Sequence, residues 1–341
     1  MRTHLILALA LVSCVHAAPP AAAQTKEFAL TDTQGLVPMD AVIDTADFLG
    51  RKAVRLQPKE GKGEGFALLP GVDFQDGTIE ADVAVKLLTP PGVRMPGFIG
   101  IAFRARQDAS SYELFYIRPG NARAEDQAMR NHAAQYCAFP KYGWYELRRA
   151  WPWVYEGHAD LRLDAWTHMK IEVAGRVARL YLNGNAQPTL VVDGMKGEDL
   201  RGGIALFGFQ SEESYYSNVR VTSAPPQPVK NGSDAAGSWQ VKLSTDAGVF
   251  NGTLQLARKG TELSGTWSGG LGNNLPVTGT WRDGYVEISF TGQWVREPGS
   301  NNGTPGPVRA RLAGWIDGDA GKGRGTVEAR ADGVWTATKK S

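Results

Sequence analysis

Thr78-Ile-Glu-Ala-Asp-Val-Ala-Val85 alternates strictly. Ile79, Ala81, Val83 and Val85 fall on one face, and Glu80, Asp82 and Ala84 on the other. Successive side chains of a strand point to opposite sides, so this period of two with one apolar face is a half-buried strand. The signal recurs on moving outward. Residues 97–106 set Ile99, Ile101 and Phe103 opposite Gly100, Ala102 and Arg104. Residues 111–118 (SYELFYIR) are apolar on both faces, as a central strand is. Residues 167–173 and 178–183 meet at Gly175-Arg176, a hairpin turn, and Asn183-Gly184 marks a second turn. Residues 203–209 and 216–221 close the run. Short strands spaced about 8–12 residues apart predict a sandwich or jelly roll. Residues 121–134 break the pattern. They lack β-branched side chains, Asn121 is placed to cap, and Asp126 and Arg130 are spaced as an i,i+4 ion pair. They read as a short helix or helical loop between strands.

Residues 223–233 carry three prolines and no apolar periodicity, which reads as a stiff linker. Beyond it a hairpin grammar repeats: Gly252-Thr253-Leu254, Gly265-Thr266-Trp267, Gly279-Thr280-Trp281 and Gly325-Thr326-Val327. Turn dipeptides fall at Lys259-Gly260, Asp283-Gly284 and Asp332-Gly333. A meander of about eight strands leaves two open edges unless it closes into a barrel. Six of the ten Trp lie in this part, enough to fill such a barrel from within.

Composition bounds the function. Of 341 residues, 42% are hydrophobic and 21% charged, which is globular. Lys+Arg 37 against Asp+Glu 35 gives +2, a balance that steers the chain to neither nucleic acid nor an acidic membrane. Residues 1–23 read as an export signal: Arg2, an apolar run over 5–12, then Ala21-Ala22-Ala23. Leu11-Val12-Ser13-Cys14 also fits a lipobox, so a lipid anchor at Cys14 is the rival reading. After cleavage Cys137 is the one thiol, and no disulfide can form within the chain. No later apolar run reaches the roughly 20 residues of a transmembrane helix.

Residues 27–222 resemble a concanavalin A-like lectin/glucanase sandwich, through GTIEADVAV, GFIGIAFRAR, SYELFYIRP, WTHMKIEVAGRVARLYLNG and the closing GGIALFGF and YYSNVRV. More narrowly they are similar to exported bacterial sandwiches near the 3-keto-disaccharide hydrolase (3-keto-glucoside lyase) group. That group usually has Asn-Ser-Gly-Ile where this chain has Gly97-Phe98-Ile99-Gly100-Ile101, and Tyr-Glu-x-Gln where it has Tyr112-Glu113-Leu114-Phe115. The related glucanases carry Glu-x-Asp-x-Glu, of which Glu80 and Asp82 remain and Ala84 replaces the third acid. Retaining hydrolysis needs two carboxylates across the scissile bond, so the two acids read as solvent-facing charges. The C-terminal part resembles lipocalin- and avidin-like barrels through its opening Gly-x-Trp.

Eight of the chain's 32 aromatic side chains sit in residues 136–155, interleaved with Lys141, Glu146, Arg148 and Arg149. Sugar faces stack on aromatic rings, and hydroxyls need planar polar partners. Trp144, Trp151, Trp153 and Arg148 are the ligand-binding candidates from this cluster. Arg104, Tyr116, Arg118 and Gln135 come from a second, polar cluster able to meet an acidic sugar or to form an internal ion network. Were the chain an enzyme, Glu113 and Glu146 would be the acid/base pair, since a carboxyl on an apolar strand has a raised pKa. Cys137, among aromatics and without a His partner, reads as a buried small residue. His158 with Asp160 lacks a third metal ligand, and Asp317-Gly-Asp319 reads as a hairpin loop.

The sequence therefore predicts an all-β chain, an antiparallel jelly-roll sandwich followed by a small up-and-down β-barrel. The divisions are a signal at 1–23, the sandwich at 24–223, a linker at 224–236 and the barrel at 237–341. The functional expectation is an exported protein, periplasmic or extracellular, that binds an oligo- or polysaccharide. The alternatives are a glycoside-active enzyme (a 3-keto-glycoside hydrolase or lyase) and a non-catalytic scaffold. No cofactor is called for, while a structural calcium held by backbone carbonyls stays open.

Overall fold

The computed structural model describes residues 24–90, 92–226, 234–295 and 303–340. The expected signal, Cys14 and most of the linker lie outside them. Two antiparallel sheets face each other. The first runs Leu190–Asp193, Val177–Leu182, Thr167–Ala174, Asp76–Leu87, Glu212–Ala224, Arg51–Pro58, Ala41–Phe48, and Gln24–Phe28 also pairs with Glu212–Ala224. The second runs Glu156–Gly157, Ala134–Phe139, Tyr112–Ile117, Ile99–Ala105, Gly203–Phe209, Glu64–Leu68, Val37–Met39.

The strand Asp76–Leu87 lies in the middle of the first sheet. Ile79, Ala81, Val83 and Val85 are fully buried in the sandwich core, while Glu80 and Asp82 face out toward solvent and bracket His168. The neighbouring strand alternates likewise, with Met169, Ile171 and Val173 inward. Ile99–Ala105 and Tyr112–Ile117 are buried on both faces, as the double apolar pattern of 111–118 requires. Tyr216 crosses the core, and its hydroxyl meets the N–H and C=O groups of both Gly100 and Phe207. That insertion joins the two sheets through one side chain, and Gly100 is needed because a Cβ there would overlap the Phe115 carbonyl.

Residues 121–134, expected as a short helix or helical loop, fall in a helical loop with two one-turn helices, Pro119–Ala122 and Gln127–Arg130. Asn121 is buried and makes no cap. Asp126 caps instead, accepting from the Ala128 N–H at 2.8 Å. With Asp126 so engaged, Arg130 turns to the Ala124 and Glu125 carbonyls and to Gln127, not to Asp126. A further helix, Trp144–Ala150, follows Gly143. Glu146 in its first turn and Arg148 and Arg149 in its last complement the helix dipole.

The C-terminal part is a closed barrel of eight strands in chain order: Gly237–Thr245, Gly248–Lys259, Glu262–Gly269, Gly272–Arg282, Tyr285–Trp294, Gly306–Asp317, Ala320–Val327 and Ala331–Lys339. Trp239, Trp267, Trp294 and Trp335 fill it with Leu254, Ile288, Phe290 and Leu312. Turns fall at Gly260, at Asp283-Gly284 and at Gly318, all with positive φ. Asp332-Gly333 is no turn: both lie inside the last strand, and the chain reverses at residues 328–330. Gly333 is needed there because a Cβ would overlap the Ser244 carbonyl of the paired strand.

The barrel's outer wall packs on the sandwich. Tyr285, Ala313 and Trp315 join the sandwich core from outside the barrel. Tyr285 lies over Gly194, where any Cβ would overlap its ring. Trp315 Nε1 donates to Asp193 at 2.6 Å, and Arg176 pairs with Asp283 at 2.6 Å. Lys196, buried among Tyr142, Tyr155 and Tyr285, pairs with Glu287. Burial pushes the Lys196 ammonium well below its ordinary value, and Arg282 adds to the push.

Candidate functional site

The aromatic segment 136–155 divides by burial. Tyr136 and Tyr155 are core, and Trp151 is only 6% exposed. Trp144, Tyr145 and Trp153 are 44%, 56% and 59% exposed. The Trp144–Ala150 helix presents the first two, while Leu147 on its other face is buried in the sandwich core. Trp153 lies just beyond the helix at φ +65, a left-handed backbone rarely adopted by a bulky side chain.

These rings are held, not merely exposed. Arg148 lies over the Trp144 ring, 4.8 Å from its centroid. Its Nε and Nη2 grip the carboxylate of Glu156 at 2.9 and 2.7 Å. Glu156 belongs to the edge strand of the second sheet, beside Gln135, and is buried. On its other side His132 Nδ1 sits 2.8 Å from Glu156 Oε2. The His132 ring lies parallel to Trp153, centroids 5.7 Å apart. Burial holds His132 below its ordinary pKa against the opposing pull of Glu156. Arg149 stands 5.8 Å from the Tyr145 ring centroid. One buried carboxylate thus supports two tryptophans, through a guanidinium under one and an imidazole beside the other. Flat faces with adjacent cationic donors can stack a sugar ring and bond its hydroxyls.

The polar candidates are buried. Arg104 is buried, donating to the Gln75 carbonyl, to Asp76 at 3.0 Å and to the Gly175 carbonyl at 2.7 Å. Arg118 is buried over Phe98 and Tyr116, donating to the Tyr116 hydroxyl and the His132 carbonyl at 2.7 Å. Gln135 is spent on the Tyr136 and Tyr155 carbonyls. Arg118, Gln135 and Tyr116 share one internal network, Arg104 belongs to a second with Asp76, and all four are buried.

Glu113 and Glu146 do not share a site. Glu113 is 1% exposed in the core. It accepts from the Tyr136 hydroxyl and the Gly197 N–H, and burial raises its pKa. Tyr136 in turn accepts from the Lys196 N–H at 2.7 Å. Glu113 therefore anchors the loop that carries Lys196 to the barrel. Glu146 stands exposed on the helix. His132 and Glu156, central to the platform, were not candidates in the sequence. Their only signal is a polar residue on either side of the aromatic run.

Among the described residues no group of three or more His, Cys, Asp and Glu is placed to hold a metal ion. No helix there is long and apolar enough to cross a membrane.

No family model matches the chain, and no curated protein matches it. Among solved structures, the carbohydrate-binding module CBM66 from Bacillus subtilis is similar at 16% identity and a TM-score of 0.37, covering 55% of this chain and 95% of that one. A Bacillus subtilis protein of unknown function with a galectin-like fold gives 11% and 0.41, covering 61% and 99%. A Clostridium perfringens endo-β-galactosidase that releases GlcNAcα1-4Gal gives 8% and 0.36, covering 96% and 99%. None reaches a TM-score of 0.5, so the class, an all-β sandwich joined to a closed barrel, rests on the strand pairing itself.

Proposed function

We propose that the chain is an exported carbohydrate-binding protein that stacks a glycan on Trp144, Tyr145 and Trp153. The observation that carries this reading is the fixing of Trp144 and Trp153 by Arg148 and His132 on the buried Glu156. Exposed rings lose rotamer entropy when a ligand immobilises them, and rings already held lose less. The fixed geometry suits a rigid, flat-faced partner. Apolar sugar faces meet the rings, and Arg148 and Arg149 lie beside them for the hydroxyls. Calorimetric titration with neutral oligosaccharides of different linkage tests the reading. Trp144→Ala and Trp153→Ala are each expected to weaken binding about tenfold, the scale of one lost ring contact. Binding of every sugar with unchanged affinity by both variants, or no binding by the parent, would remove the proposal.

A further inference from the structure

The junction of the two bodies holds a cleft of about 710 Å3, lined on the sandwich side by Arg176, Arg179 and Leu200 and on the barrel side by Asp283, Trp315 and Lys322. Clefts of this size at domain junctions are where small ligands bind. Its lining includes Trp315, an aromatic ring fixed from two sides. Trp315 Nε1 is tied to Asp193, and Tyr285 meets the ring edge-on at 5.1 Å. Its charge is unbalanced. Arg176 is taken by Asp283. Arg179 and Lys322 are exposed, and among the described residues neither carries an ion pair or a side-chain hydrogen bond. Glu172, the cross-strand partner of Arg179, is engaged by Lys170 at 2.7 Å. Lys322 is the cross-strand partner of Trp315, so both side chains leave the same face of the barrel wall. Asp317, also in the lining, has its own partner.

We propose that this cleft is a second binding site, for a uronate residue of an acidic oligosaccharide, with the sugar ring on Trp315 and its carboxylate between Arg179 and Lys322. One cation from each body meets one anion, and a ring meets a ring. Carboxylate recognition by Arg is bidentate where geometry allows, and the ammonium adds a point charge. The site is separate from the Trp144 platform and stands whether or not that platform binds a neutral glycan.

Trigalacturonate is the probe, with its methyl ester as the neutral control. Titration at low salt should show binding by the parent that the ester loses. Arg179→Ala and Lys322→Ala should each weaken it about tenfold or more, the scale of a charge-assisted hydrogen bond. Both positions are exposed, so folding is unaffected. Trp144→Ala should leave trigalacturonate binding unchanged while weakening neutral-sugar binding about tenfold, which separates this site from the platform. No binding by the parent, equal binding of the ester, or full affinity in both charge variants would overturn the proposal. So would loss of trigalacturonate binding in Trp144→Ala with Lys322→Ala unaffected.

Discussion

Replacing Glu156 by Gln keeps the side chain's size and removes its charge. Arg148 and His132 then lose the group both lean on. Hydrogen bonds to charged groups contribute about 1.5–3 kcal/mol each, so Glu156→Gln should lower stability by roughly that much. Acrylamide should quench Trp144 and Trp153 more strongly, and an unchanged quenching profile would show that the rings do not depend on Glu156. Glu212 carries a second residue-scale prediction. Burial raises its carboxyl to about 8, against the Phe98 and Phe209 N–H groups that favour the anion. The unfolded chain titrates this group near 4.3. Between those values the folded protein holds the extra proton. Glu212 therefore favours folding most below about pH 4.3, and that stabilisation declines as pH rises to about 8. Urea unfolding from pH 5 to 8 should show the parent losing up to about 1.4 kcal/mol per pH unit relative to Glu212→Gln. Parallel curves would contradict this. Cys137, which reads from its sequence neighbours as a buried small residue, is fully buried, and burial pushes its thiol up to about 12. At this scale the sequence was legible for Ile79 or Cys137, where pattern alone fixes burial. It was not legible for Arg104, Arg118 or Gln135. A strand apolar on both faces shows that its polar residues are covered, as Glu113 is, but not which carbonyl or hydroxyl they meet. Those partners come from distant segments: Gly175 for Arg104, and Gly197 for Glu113.

At the scale of elements, the loop carrying Lys196 joins the sandwich to the barrel wall. Glu113 and Tyr136 hold its backbone from within the sandwich, and Glu287 receives the ammonium from the barrel. Removing one partner of a buried pair leaves a charge uncompensated, while replacing both with apolar side chains is often neutral. Glu287→Gln should therefore cost about 3 kcal/mol, and Lys196→Met with Glu287→Leu should recover most of it. Chemical unfolding of the single and double variants measures this, and a double variant as weak as Glu287→Gln would contradict it. Element boundaries were legible where a turn dipeptide carried positive φ, as at Gly175 and Asp283-Gly284. The Asp332-Gly333 dipeptide misled because a glycine in a strand and a glycine in a turn look alike in sequence. Only the close approach of Ser244 distinguishes them. The Trp144–Ala150 helix was hidden because aromatic residues and flanking glycine and proline suit loops equally well.

At the scale of the whole molecule, the sandwich and the barrel share a packed interface and not only a linker. Tyr285 over Gly194, Trp315 on Asp193 and Arg176 on Asp283 tie barrel strands to the sandwich's edge hairpin. Heating should therefore unfold both bodies in one calorimetric transition. Gly194→Ala, whose Cβ overlaps the Tyr285 ring, should split it in two. Two transitions in the parent would show the bodies to be independent. Neither this interface nor its cleft was legible in the sequence, which marked residues 223–233 as a boundary and gave no sign that Trp315 would leave the barrel. Trp144, Tyr145 and Trp153 are the rings that do face solvent. Calorimetric titration of a neutral oligosaccharide series into the parent and into Trp144→Ala tests glycan stacking on them most directly. The parent should bind saturably and the variant about tenfold more weakly. Equal affinities for every sugar bound would contradict it.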